Sequence, residues 1–207
     1  AALRVGGAPP LDGTLAGFDL SEPLHLALED QYRRSEDAYP GPDELSAVAY
    51  TAWDEAALYL AVEVTKPDLC LRAPGAPPLG LDNEPDDIHS DGLQVYVAGD
   101  GYVGYLIVPD TEGHGVRAAA TTDSAGDPRG VRGGWQRTER GYRVTVRVPW
   151  PAGARPHVGG RVGFDLIINE MLPGRVRRGG QLVWSGGDGG VWLRGDRQDP
   201  ARVGVLE

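Results

Sequence analysis

Cysteine, lysine and methionine occur once each, as Cys70, Lys66 and Met171. A single cysteine cannot close an internal disulfide or build a cysteine metal cluster, so Cys70 reads as a small buried or loop thiol. One lysine among 20 basic residues reflects an arginine bias, of the kind a G+C-rich genome imposes, rather than a function. No apolar run approaches the roughly 18 residues of a membrane span. No secretory leader is legible at Ala1, which is read as a trimmed start. Positive charge is in deficit: 20 basic residues stand against 30 acidic ones, for a net charge of −10. Such a surface repels phosphate backbones and makes nucleic acid a poor partner, while it suits neutral ligands, cations or plain solubility.

Catalytic motifs are missing as well. The chain has no nucleophile elbow, no Cys–His pair at a recognisable spacing, no phosphate loop and no zinc-binding HExxH. Gly6-Gly7 and Gly186-Gly187 are loop glycines rather than dinucleotide fingerprints. Acid pairs at glycosidase spacing arise by chance in a chain with this many acids. The expectation is a binding domain and not an enzyme.

What the chain has is alternation. Leu58, Leu60, Val62 and Val64 fall on one face of a strand, with Tyr59, Ala61 and Glu63 on the other. Tyr142, Val144, Val146 and Val148 oppose Arg143, Thr145 and Arg147. Val162, Phe164, Leu166 and Ile168 oppose Asp165, Ile167 and Asn169, and Leu93, Val95 and Val97 oppose Gln94 and Tyr96. A period of two means half-buried strands, and several of them mean a layered antiparallel fold. Further strands are expected over Leu24–Leu28, Ser46–Trp53, Tyr102–Val108, Val116–Thr121, Gln136–Glu139, Gln181–Trp184, Val191–Arg194 and Arg202–Leu206. Tight hairpins are expected at Trp53–Leu58, Gly99–Gly101 and Glu139–Gly141. The 31 glycines and 17 prolines supply the turns such a chain needs. With 207 residues and no linker, the reading is all-β: one jelly-roll-like antiparallel β-sandwich domain over residues 1–207, with one short helical turn at most. Two long loops, Lys66–Ser90 and Pro109–Gly134, stand out as places to bind something.

Several local patterns then converge. They are Leu11-Asp12-Gly13 near the start, Tyr50–Val62 with its Trp53-Asp54 and Leu58-Tyr59, and Ser90–Val97 with Asp91 ahead of its alternation. Tyr142–Trp150 ends in Pro149-Trp150, and Gly160–Glu170 carries Gly163-Phe164 and Asn169-Glu170. Trp184 and Trp192 follow. In this order, over nearly the whole chain, the set resembles the family 9 carbohydrate-binding modules. The resemblance implies a β-sandwich, often with bound calcium, that accompanies extracellular or periplasmic polysaccharide-processing enzymes as a fused or neighbouring domain. Two positions depart from the pattern: Gln94 stands where an acid is expected, and Thr145 where a glutamate is expected.

Candidate ligand contacts follow from sugar chemistry. Sugar hydroxyls take paired donors and acceptors, and polar strand residues supply them: Glu63, Gln94, Tyr96, Arg143, Arg147, Asp165 and Asn169 are placed on one outer face. Sugar C–H faces pack on flat aromatics, and Trp184 and Trp192 flank a glycine-rich loop that lets a ligand approach. Trp53 and Trp150 sit inside strand patterns and read as core. The acidic run offers Asp82, Glu84, Asp86, Asp87 and Asp91 as oxygen ligands for calcium, though without EF-hand spacing. The expected partner is an oligo- or polysaccharide. Two alternatives stay open: a calcium-stabilised docking sandwich without sugar binding, and a haem b domain, which the resemblance to more distant relatives implies through axial Met171 with Lys66 or a histidine.

Overall fold

An apolar strand face is stable only under another layer, and this chain supplies two layers that cover each other. The computed structural model describes residues 1–34, 37–81, 84–122, 124–187 and 195–207, and thirteen strands form among them. They are β1 (Leu3–Arg4), β2 (Leu24–Leu26), β3 (Tyr32–Arg34), β4 (Ser46–Trp53), β5 (Ala57–Thr65), β6 (Gly92–Ala98) and β7 (Tyr102–Pro109). Then come β8 (Val116–Ala120), β9 (Arg132–Thr138), β10 (Gly141–Pro149), β11 (Val162–Glu170), β12 (Gly180–Val183) and β13 (Gly204–Leu206). One sheet runs β1-β4-β5-β10-β9, with β2 also on β4. The other runs β3-β12-β11-β6-β7-β8, with β13 also on β11. The β1–β4 pair is parallel, and the other described pairings are antiparallel.

The alternating residues make the core. Leu58, Leu60, Val62 and Val64 of β5 and Val144, Val146 and Val148 of β10 pack in one cluster with Leu93, Val95 and Val97 of β6 and Phe164, Leu166 and Ile168 of β11. Hairpins arise where expected. At β4–β5 the Asp54 carboxylate closes the turn, accepting the Ala56 and Ala57 N–H at 2.8 and 2.9 Å and the Tyr59 O–H at 2.8 Å.

Three departures have physical causes. The strand expected at Gln136–Glu139 is Arg132–Thr138, because Gly133 and Gly134 are strand glycines. A Cβ on Gly134 would lie 2.2 Å from the Leu11 carbonyl oxygen, so glycine marks close backbone approach rather than a loop. β1 and β3 are too short to show alternation, and three 3-10 turns form (Glu29–Gln31, Asp86–Ile88, Pro128–Gly130) rather than one. The strand expected at Val191–Arg194 lies outside the described residues.

Neither outer face is simply solvated. Val5, Leu11, Leu15 and Phe18 of the N-terminal segment pack on Ala52, Tyr59 and Ala61 across the outside of the β4–β5 region. The Gly13 N–H donates to Thr145 Oγ1 at 2.8 Å. Among the described residues no helix is long and apolar enough to cross a membrane.

Candidate functional site

The polar outer face of the seven-stranded sheet is the richest cluster of side-chain chemistry. Register builds it. Arg33 of β3 stands opposite Gln181 of β12, which stands opposite Asn169 of β11. Asp165 of β11 stands opposite Tyr96 of β6, and Tyr96 opposite Gly104 of β7. Gly104 is needed there, since a Cβ would meet the Tyr96 ring at 2.5 Å.

These groups form a connected network. Gln94 Nε2 and Gln181 Nε2 both donate to Asn169 Oδ1, at 2.8 and 2.9 Å. Gln181 Nε2 also reaches the Gly195 carbonyl at 2.9 Å. The Tyr96 hydroxyl lies 2.5 Å from Gln94 Oε1 and 2.8 Å from the Asp196 carbonyl. Asp165 accepts from the Ser185 hydroxyl at 2.5 Å, from the Ser185 N–H at 3.1 Å and from Gln198 Nε2, while Gln198 Oε1 accepts from Arg33 at 2.8 Å. Burial raises the Asp165 pKa above the ordinary carboxylate range, against the lowering effect of the Ser185 and Gln198 bonds.

Among the described residues, two amide atoms of this network lack partners, the donor Asn169 Nδ2 and the acceptor Gln181 Oε1. Asp196 Oδ1 and the Tyr102 hydroxyl are also buried without partners. Tyr102 stacks on Tyr96, with centroids 5.4 Å apart and planes at 12°. The two rings line a cavity of about 280 Å³ shared with Thr121, Ser124, Arg197 and Gln198. Uncharged donors, acceptors and hydroxyls beside a tyrosine face are what polyhydroxylated ligands pair with.

The structure therefore brings together Gln94, Tyr96, Asp165 and Asn169, but not all the expected contacts. Arg143 and Arg147 lie on β10, in the other sheet, so the single shared face does not form. Arg143 pairs with Glu63 across the β5–β10 register, and Arg147 donates to the Gly130 carbonyl at 3.0 Å. Trp184 is half-buried: it packs on Phe164 at 5.7 Å, and a Cβ on Gly204 would meet its ring at 2.2 Å. Trp192 lies outside the described residues. Gln181, Arg33, Gln198 and Tyr102 join the site without having been singled out. The only sequence signal for Gln181 is its polar position at the head of an otherwise apolar strand.

The described acids of this run pair with arginines and N–H donors. Glu84 pairs with Arg178 at 2.8 Å. Asp87 sits 3.2 Å from Arg117, Asp86 sits 3.5 Å from Arg72, and Asp91 accepts the Cys70 and Met171 N–H groups. Among the described residues no group of three or more His, Cys, Asp or Glu is placed to hold a metal. Asp82 lies outside the described residues. For the haem alternative, Met171 is buried, and Lys66 is buried with its Nζ donating to the Asp68 carbonyl at 2.8 Å.

The family model described as "Carbohydrate family 9 binding domain-like" matches residues 27–207. A family 9 carbohydrate-binding module from Caldicellulosiruptor kristjanssonii, solved in complex with cellotriose, is similar with 19% identity and a TM-score of 0.66, covering 99% of this chain and 92% of that chain. A family 9 module from the same organism in complex with glucose gives 19% identity and a TM-score of 0.64, covering 99% of this chain and 94% of that chain. At this identity the likeness concerns the fold. No curated protein matches the chain.

Proposed function

The chain belongs to the carbohydrate family 9 binding domain-like family, and from that premise we propose that it binds neutral saccharide on the outer face of its seven-stranded sheet without transforming it. The observation that carries this reading is the unpartnered pair Asn169 Nδ2 and Gln181 Oε1, one donor and one acceptor on neighbouring strands. A sugar hydroxyl is itself donor and acceptor and completes both where the covering residues 195–198 move aside. The neighbouring cavity supplies further hydroxyls and the Tyr102 ring. The glucose and cellotriose held by the two similar modules make glucose-type sugars the first ligands to test.

Binding rather than catalysis is supported by the carboxylates on this face. Asp165 spends both oxygens on hydrogen bonds, and Asp196 Oδ2 accepts the Thr122 N–H at 2.6 Å. The setting we infer is extracellular or periplasmic, beside a polysaccharide-processing enzyme on the same or a neighbouring chain.

One observation favours a second reading, a structural sandwich that positions a partner. Gln94, Tyr96, Asp165 and Asn169 are at most 1% exposed, because residues 195–198 of the same chain lie against them. Calorimetric titration with glucose and cellotriose separates the two. Under the proposal the wild type binds with modest affinity, since the ligand must replace contacts the site already makes with itself or with water. The Asn169→Ala, Gln181→Ala double variant then loses binding by about tenfold or more while remaining folded by circular dichroism. Absence of binding by wild type to every neutral saccharide tried would leave the structural reading.

A further inference from the structure

Another cavity lies at the end of the sandwich where the β4–β5 and β6–β7 hairpins meet the loop joining β10 to β11. Its volume is about 490 Å³, inside the roughly 300–1,000 Å³ range of small-molecule sites. Apolar side chains from both sheets form its walls: Trp53 and Leu58 from one, Val162 and Leu206 from the other, with Trp150 beside them. Both indole N–H groups are already used, Trp53 Nε1 on the Ala2 carbonyl at 3.1 Å and Trp150 Nε1 on the Asp54 carbonyl at 2.8 Å. What the rings offer the cavity is therefore apolar surface, suited to the C–H face of a ring.

The lining is also cationic, which is unusual for a chain of net charge −10. Arg4, Arg155 and Arg161 line it, beside His157, against one carboxylate side chain, Glu207. Arg161 is paired with Glu207 at 3.0 Å and Arg4 with Glu55. Arg155 is exposed and has no carboxylate partner among the described residues; its Nη1 reaches only the carbonyl of its neighbour Ala154, at 3.0 Å. A guanidinium with open donors at the rim of an aromatic cavity is arranged to take a planar anion bidentately.

This cavity is separate from the outer-face strip. Val162 lines it at the start of β11, while Asn169 stands near the end of that strand, about 23 Å away at the usual rise per residue.

We propose that this cavity is a second ligand site, selective for a carboxylated pyranose: the sugar ring lies against the Trp53–Trp150 wall and its carboxylate is taken by Arg155. The choice of a sugar over other ring carboxylates rests on the saccharide-binding reading above. The cavity's selectivity for a ring anion does not.

Calorimetric titration with glucuronate and galacturonate tests the proposal, with glucose and benzoate as comparison ligands. The expected result is uronate binding that weakens at high salt, with little or no benzoate binding. Arg155→Glu, at an exposed position that should not affect folding, weakens uronate binding by about tenfold or more and leaves glucose binding unchanged. Trp150→Ala, checked for folding by its melting curve, weakens uronate binding too. The Asn169→Ala, Gln181→Ala variant leaves uronate binding intact. Uronate affinity untouched by Arg155→Glu, or lost in the outer-face variant, overturns the assignment. Benzoate binding as tightly as uronate overturns the sugar class. Failure of glucose alone to bind sinks the outer-face reading and not this one.

Discussion

Asp91 has no exposed surface, yet each of its oxygens takes a backbone N–H. Oδ2 accepts from Cys70 at 2.6 Å and Oδ1 from Met171 at 2.7 Å, so one side chain ties the long loop after β5 to the end of β11. Burial is the largest influence and pushes its pKa up to about 7, against Lys66 and the two N–H bonds, which lower it, and with Glu170, which raises it. A raised carboxyl holds its proton in the folded chain after the unfolded chain has lost it. Its contribution to stability is complete below 3.8 and is lost as pH rises through about 7. Asp54 has the opposite sign. Burial opposes its charge, but the Tyr59 O–H, the Ala56 and Ala57 N–H groups and Arg147 hold it below the ordinary range, so its contribution fades as pH falls. Asp91→Asn should cost about 1–3 kcal/mol, because its amide nitrogen faces an N–H that needs an acceptor. Urea denaturation across that interval should show the gap between wild type and Asp91→Asn shrinking as pH rises. A gap that widens means that Asp91 gives up its proton more readily in the native protein than in the unfolded chain.

At the scale of elements, the N-terminal segment acts as a cover. Leu11, Leu15 and Phe18 close the outside of the β4–β5 region, and Gly13 anchors the segment through Thr145. Gly13 has φ of 80°, and a Cβ there would lie 2.7 Å from the Gln136 nitrogen. Gly13→Ala should therefore destabilise the fold by about 2 kcal/mol or more, through left-handed strain and through lifting the segment off β9. Phe18→Ala should cost about 3 kcal/mol by emptying the satellite cluster. Both are read from thermal or urea unfolding, and hydrogen exchange should rise first in residues 11–18. If both variants unfold like wild type, the segment is not integral to the fold. The same elements show what the sequence could reveal. β5, β6, β10 and β11 announce themselves by period-two alternation, which needs only neighbours along the chain. The glycine-rich start of β9 does not: it pairs with Thr145 and Val146 of β10, and its glycine side leaves room for Leu11, which comes from far away in sequence. The candidate site was half legible for the same reason. Alternation tells which residues share a strand face, but not which sheet the strand joins. Arg143 and Asn169 therefore looked equivalent until long-range pairing put them in different sheets. Trp184 likewise looked free because Gly204, which makes room for its ring, is distant in sequence.

At the scale of the molecule, two sites sit toward opposite ends of β11 on one continuously packed core. The strands between them, β6 and β11, are paired from Phe164–Val97 to Asn169–Gly92 and buried through nearly their whole length. Coupling between sites requires an element with two arrangements that each ligand biases differently. The described sandwich offers no hinge between these positions, since both sites stand on the same strands and the apolar side chains between them interlock in one cluster. Uronate and neutral sugar should therefore bind independently. Titrating uronate into protein saturated with cellotriose should give the same Kd as titration into free protein, to within about twofold, and reversing the order should give the same answer by reciprocity. Thermal shifts should report the same independence: each ligand raises the melting temperature on its own, and together their stabilising free energies add. Mutual exclusion would mean one shared site, and the two assignments would collapse onto whichever set of variants abolishes both titrations.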